Sequence, residues 1–128
     1  MVHPLPPYAE LLGLSVTRDD AGSHLWTMPF RDDVIGRPGF LHGGAIAGLL
    51  EFAALGAVQE ALGDGMERLK PINVSIAFMR AGRDHDTFAA GHVVRLGKRI
   101  ANVEAAAWQA ERDKPIATAQ MTLLIRPA

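Results

Sequence analysis

One carboxylate stands alone in the most apolar stretch of this chain. Residues 43–58 read GGAIAGLLEFAALGAV, and Glu51 is their only ionisable side chain. Tight packing of small residues should strip water from that carboxylate, a cost that a partner or a chemical task must offset. The pair Gly43-Gly44 lets backbone approach a ligand closely and presents N–H groups at a helix start, where the dipole favours an anion. His42 stands directly before the pair and nine residues before Glu51. The spacing offers an acid with perturbed properties and a backbone end that favours negative charge. The plainer alternatives are a structural carboxylate satisfied by backbone or by a second subunit, a Gly pair that serves packing, and a histidine that hydrogen-bonds its own turn.

Composition narrows what such a site could serve. The chain has 128 residues, 48% hydrophobic and 21% charged, as expected for one globular domain spanning 1–128. A net charge of −1 gives no reason to expect nucleic acid or an acidic membrane surface as partner. With no cysteine there is no disulfide, thiolate metal site or thiol nucleophile. His3, His24, His42, His85 and His92 are scattered without HxH or HExxH spacing, so no metal is expected. Prolines interrupt the start, MVHPLPPYAELLG, where a signal peptide needs a continuous apolar run. The apolar stretch of 16 residues is shorter than the ~20 of a membrane span. The expectation is a cytoplasmic protein.

The elements that must position Glu51 follow from period and punctuation. Residues 7–12 read as one or two helical turns stopped by Gly13, and 14–16 and 24–28 as short strands joined through Asp19-Asp20-Ala21-Gly22. Residues 31–41 read as an irregular loop, and the apolar helix follows, fading near Gly63-Asp64-Gly65. The period then changes to two. Residues 70–80 place Ile72, Val74, Ile76 and Phe78 on one face, and further strands are expected over 86–96, 100–110 and 115–125. Gly97-Lys98-Arg99 and Glu111-Arg112-Asp113-Lys114 form the turns between them, which makes neighbouring strands antiparallel. A helix apolar nearly all round needs cover on more than one side. A curved antiparallel sheet supplies part of it, and association of two copies the rest.

Three segments resemble one family. GRPGFLHGGAIAGLLEFAA (36–54), NVSIAFMRAG (73–82) and VVRLGKRIANVEAAAW (93–108) are similar, in this order, to the hotdog-fold acyl-CoA thioesterases of the phenylacetate-degradation and 4-hydroxybenzoyl-CoA group. The resemblance implies an α+β hotdog fold, a curved antiparallel sheet of five to six strands around one long central helix, assembled as a homodimer or a dimer of dimers. It implies hydrolysis of an acyl-CoA thioester, with coenzyme A present only as part of the substrate. Gly43 matches the residue whose N–H polarises the thioester carbonyl. Glu51 matches the catalytic carboxylate, which works on substrate held mainly by the other subunit. His42 and Gly44 match positions shaping the turn, while Arg80, Lys98 and Arg99 lie where basic groups meet the CoA phosphates. The chemistry is consistent: thioester hydrolysis builds charge on the carbonyl oxygen, which a fixed donor stabilises, and the acid serves as general base or as nucleophile.

The chain also departs from that pattern. Gly36 stands where the family commonly places Asn or Gln, Pro71 where it has Ser or Thr, and Leu55 where some members carry Thr. Asn73 and Ser75 are the nearby polar side chains that could substitute. The alternative function is therefore a hotdog domain that binds acyl-CoA without turning it over. A hotdog hydratase would need a histidine beside the acid, and neither His85 nor His92 stands at a matching position.

Overall fold

The computed structural model describes residues 5–63 and 68–127. A short helix α1 (Pro7–Leu11) leads into strands β1 (Ser15–Arg18) and β2 (His24–Met28). A 3-10 turn (Asp32–Val34), strand β3 (Ile35–Arg37) and strand β4 (Phe40–Leu41) then deliver the chain to helix α2 (Gly43–Leu62). Four long strands complete it: β5 (Leu69–Phe78), β6 (Thr87–Leu96), β7 (Ile100–Trp108) and β8 (Ala117–Ile125). Six of the strands form one antiparallel sheet in the order β1-β2-β6-β7-β8-β5, and β3 pairs with β4 apart from it.

Alternation along β7 and β8 explains how this sheet receives the helix. Ala101, Val103, Ala105 and Ala107 are buried, as are Ala117, Ala119, Met121, Leu123 and Ile125. The intervening residues face away from α2. Small residues beneath the helix let it approach closely. At Gly91 a Cβ would stand 2.4 Å from the Ala53 carbonyl oxygen, so helix and sheet meet backbone to backbone there. At Gly56 it would stand 2.8 Å from the Trp26 ring, which stacks on Phe52 with centroids 6.1 Å apart.

Three details of these elements differ from the sequence reading. The segment 31–41 is not irregular throughout: β3 and β4 form a small hairpin with a bulge between Ile35 and Arg37, closed at Gly39 with φ +80°. The alternation of β5 holds only from Val74 to Phe78, because Ile72 lies in a bulge between Pro71 and Asn73. Helix α2 runs for 20 residues to a left-handed cap at Gly63, so its length would suffice for a membrane span. Packing, not length, marks it as a core helix: Leu49, Leu50, Ala53, Ala54 and Val58 are almost wholly buried against the sheet. Asp64 and Gly65, expected where the helix fades, lie outside the described residues.

The sheet ends on β5, a ten-residue edge strand with no neighbour on its far side among the described residues. Ile72 (56%), Phe78 (57%) and the following Met79 (54%) are exposed large apolar residues. A long apolar edge of this kind is a surface for pairing.

Candidate active site

The entry to α2 is pinned from two sides. Leu41 donates its N–H to the Gly82 carbonyl at 2.9 Å, and His42 donates to the Val34 carbonyl at 2.8 Å. His42 is the N-cap, with φ −71° and ψ 134°, and its Nδ1 accepts the Gly44 N–H at 2.9 Å. The ring nitrogen that accepts carries no proton, so Nε2 bears it. This is the local turn-forming bond considered for His42, and it uses the Gly44 N–H. The His42 carbonyl takes the N–H groups of Ala45 and Ile46. Among the described residues the Gly43 N–H meets no acceptor and remains at an exposed helix start, with the Phe78 ring 3.6 Å from where a Gly43 Cβ would be.

Glu51 lies eight residues further along the same helix, roughly 12 Å along its axis from Gly43. Its expected loss of water is not realised in this chain: Glu51 is half-buried and forms no ion pair or side-chain hydrogen bond among the described residues. The physical reason is that the sheet packs against only part of the circumference of α2. Ala47, Glu51 and Leu55 follow one another at four-residue steps on a face that the sheet leaves partly open. The edge strand β5, whose Val74, Ile76 and Phe78 point to the α2 side, is equally uncovered.

The basic residues separate into two ends of the sheet. Arg80 directly precedes Ala81, which lines a cavity with Gly43, but its Nη1 donates to the Pro115 carbonyl at 2.7 Å and so ties the end of β5 to the start of β8. Lys98 and Arg99, with Arg95, line a hollow of about 250 Å³ at the β6–β7 turn. That turn sits beside Ile125, which donates to the Arg99 carbonyl, whereas Phe78 pairs with Ala117 at the opposite end. The length of β7 separates them, roughly 30 Å. Within one subunit the structure therefore does not bring Lys98 and Arg99 to Gly43; a turn and a helix start at opposite ends of one sheet cannot meet.

Other groups gather where those two were expected. Gly36, Arg37, Phe40, Leu41, His42, Gly43, Ala81 and Gly82 line a cavity of about 340 Å³. Arg37 and Arg83 place their guanidinium carbons 4.2 and 4.6 Å from the Phe40 ring centroid. The loop carrying Arg83 is clamped by Gln109, whose Oε1 accepts the Arg83 N–H at 2.9 Å. Its Nε2 donates to the carbonyls of Arg83 and His85 and to the buried Thr87 hydroxyl. Arg37 and Phe40 lie inside the GRPGFLHGG segment, so a basic and an aromatic residue beside the helix start were a usable signal. Arg83 and Gln109 carried none, because only the tertiary pairing of Leu41 with Gly82 and of Arg83 with Gln109 brings them there.

The departures also acquire physical reasons. A Cβ on Gly36 would stand 3.0 Å from the His42 Cα, so a side chain at that position requires the hairpin backbone to give by a few tenths of an ångström. Pro71 pairs with Leu123 at the end of β5 away from Gly43. Asn73 and Ser75 pair with Thr122 and Gln120 on the face turned from α2, so neither replaces the absent polar groups in its own subunit. His92 pairs with Glu104 on that same outer face, and His85 is on an exposed loop. Among the described residues no group of three or more His, Cys, Asp or Glu converges as a metal site.

A family model of the acyl-CoA thioesterase N-terminal domain matches residues 33–124. The chain belongs to this family. The match spans the hairpin, α2 and all four long strands, the elements that build the site. Among solved structures, a protein of Chromobacterium violaceum is similar at 32% identity and TM-score 0.73, over 93% of this chain and 82% of that one. A candidate thioesterase related to phenylacetic acid degradation from Ralstonia eutropha is similar at 25% identity and TM-score 0.83, over 96% and 92%. A Bacillus halodurans protein solved with CoA shares the fold at 20% identity and TM-score 0.85, over 97% and 81%. Among proteins of curated function none matches. The sheet and central helix of this thioesterase-family chain are the hotdog fold.

Proposed function

We propose that this protein is a cytoplasmic homodimer, alone or paired into a dimer of dimers, that hydrolyses an acyl-CoA thioester to a free acid and CoA. The observation that carries this reading is the unpaired Gly43 N–H at an exposed helix start, with the only ionisable side chain of residues 43–58 on an uncovered face of the same helix. One subunit cannot join the two groups, because eight helical residues separate them by roughly 12 Å. Two copies related by a two-fold axis and paired along β5 would cover both open faces and bring one subunit's Glu51 toward the other's Gly43. The thioester carbonyl then lies against the Gly43 N–H, whose bond and helix dipole stabilise the oxyanion. Glu51 draws a proton from water or attacks the carbonyl itself, and the thiolate leaves without a strong acid. The CoA-bound relative supports CoA as the thiol half of the substrate.

The test is Glu51→Gln assayed against a panel of aromatic and aliphatic acyl-CoAs. A fall in kcat of about 100-fold or more is expected from losing the base. Full activity in the variant would remove the mechanism. One observation favours the non-catalytic reading: position 36 carries no polar side chain, and the His42 backbone stands only 3.0 Å from where its Cβ would begin. Tight acyl-CoA binding by the wild type with no thiol released would establish that alternative.

A further inference from the structure

Two like charges held on one aromatic ring, with no ion pair to either among the described residues, ask for an anion. Both guanidinium carbons lie within 4.6 Å of the Phe40 centroid, so Arg37 and Arg83 are at most about 9 Å apart. Among the described residues neither side chain enters a salt bridge or donates a hydrogen bond. By contrast Arg18 is paired with Glu60, Arg31 with Asp33 and Arg112 with Asp19. The arrangement is also built rather than loose. Phe40 belongs to β4, and the Arg83 backbone is fixed by both functions of the Gln109 side-chain amide. Arg37 and Phe40 line the cavity that holds Gly43, and Arg83 directly follows Ala81 and Gly82 on its wall.

We propose that Arg37 and Arg83, clasped on Phe40, bind an oxyanion carried by the thioester substrate, a phosphate or a carboxylate, at the mouth of the Gly43 cavity. A guanidinium held over an aromatic face by its charge keeps its N–H donors available to an anion beside the ring. A phosphate or carboxylate there takes charge-assisted hydrogen bonds from both forks and cancels the repulsion between them. Gln109 acts as a positioning residue for Arg83. The phosphate would come from the nucleotide half of CoA, the carboxylate from the far end of an acidic acyl group. The proposal rests on the thioester hydrolase reading for the substrate, but it is read from binding, independently of turnover.

The experiment is calorimetric titration of the wild type, Arg37→Met, Arg83→Met and the double variant; Met keeps an apolar chain over the ring and removes the charge. The probes are CoA, pantetheine, which lacks the nucleotide phosphates, and the glutaryl thioester of N-acetylcysteamine, which carries a carboxylate and no phosphate. Each single variant is expected to lose about tenfold in affinity for the probe bearing the recognised anion. Loss on CoA alone identifies the phosphate, loss on the glutaryl thioester alone the carboxylate, and pantetheine binding stays unchanged in either case. Unchanged affinity of the double variant for both anionic probes would overturn the clasp. So would equal loss on all three probes, or a wild type that binds neither anionic probe. A wild type that binds the probes with arginine-dependent affinity yet releases no thiol from acyl-CoA would keep the clasp and remove the hydrolase.

Discussion

Gly91→Ala isolates the closeness of helix and sheet on which the site depends. The new methyl would stand 2.4 Å from the Ala53 carbonyl oxygen and 2.8 Å from the Ala57 Cβ, where ordinary contact begins at 3.4 Å. Relief requires that α2 and β6 separate by about 1 Å at that level, because the obstacle is helix backbone and no rotamer can move it. Overpacking costs roughly 1–3 kcal/mol in general, and the upper end applies where backbone must shift. For a domain of this size that is a fall in Tm of roughly 10 °C. Glu51 precedes Ala53 by two residues on the same helix, so it moves with it. A misplacement of ~1 Å lowers kcat about 100-fold. The assay is calorimetric unfolding together with thiol release from an acyl-CoA that the wild type hydrolyses. Ala90→Ser, on the opposite face of the same strand, is the control and is expected within ~0.5 kcal/mol of wild type. A Gly91→Ala protein with wild-type Tm and kcat would refute the idea that backbone contact at Ala53 sets the position of Glu51.

Three further outcomes are expected. Gly43→Pro removes one N–H at a helix position that accepts proline, so kcat should fall ~100- to 1000-fold with little change in Tm; mixing it with Glu51→Gln should restore about a quarter of wild-type turnover, since random dimers pair the intact Gly43 of one subunit with the intact Glu51 of the other. His42→Ala loses the Nδ1 bond to the Gly44 N–H and should cost about 1 kcal/mol in denaturant unfolding, most of it recovered in His42→Asn. The N–H of Ser23, and secondarily Arg112 and the N–H of Ala21, hold the Asp19 carboxyl below its ordinary value of 3.8. A depressed pKa stabilises the fold above the unfolded value and is lost as pH falls through the folded one; the stability difference between wild type and Asp19→Asn should therefore be present near neutrality and shrink on acidification below about pH 4.

The helix, the four long strands and the antiparallel pairing of β6 with β7 and of β7 with β8 were legible because each rests on a local signal; the place of β5 was not, since it pairs with β8 and not with the next strand along the chain. Gly and Ala in α2 announce a closely packed helix, and period two in 70–80, 86–96, 100–110 and 115–125 announces strands. The small hairpin of β3 and β4 was not legible, since two- and three-residue strands leave no period to read. Ile72 misled because a bulge changes which face a residue takes without changing its side chain. Glu51 and Gly43 were visible as a pair in the sequence, but the number of residues between them gives a distance along a helix, not a shared site.

By itself the sequence determined the fold, the turn formed by His42, and where along the chain an acid and an anion-favouring backbone end would lie. Those properties depend on residue type and near neighbours. Tertiary structure alone decided which groups meet. It sent Lys98 and Arg99 to the far end of the sheet, brought Arg83 onto Phe40 through the pairing of Leu41 with Gly82, and left one face of α2 open around Glu51. Such meetings depend on strand register and helix placement, which arise from the whole packed core rather than from any one segment.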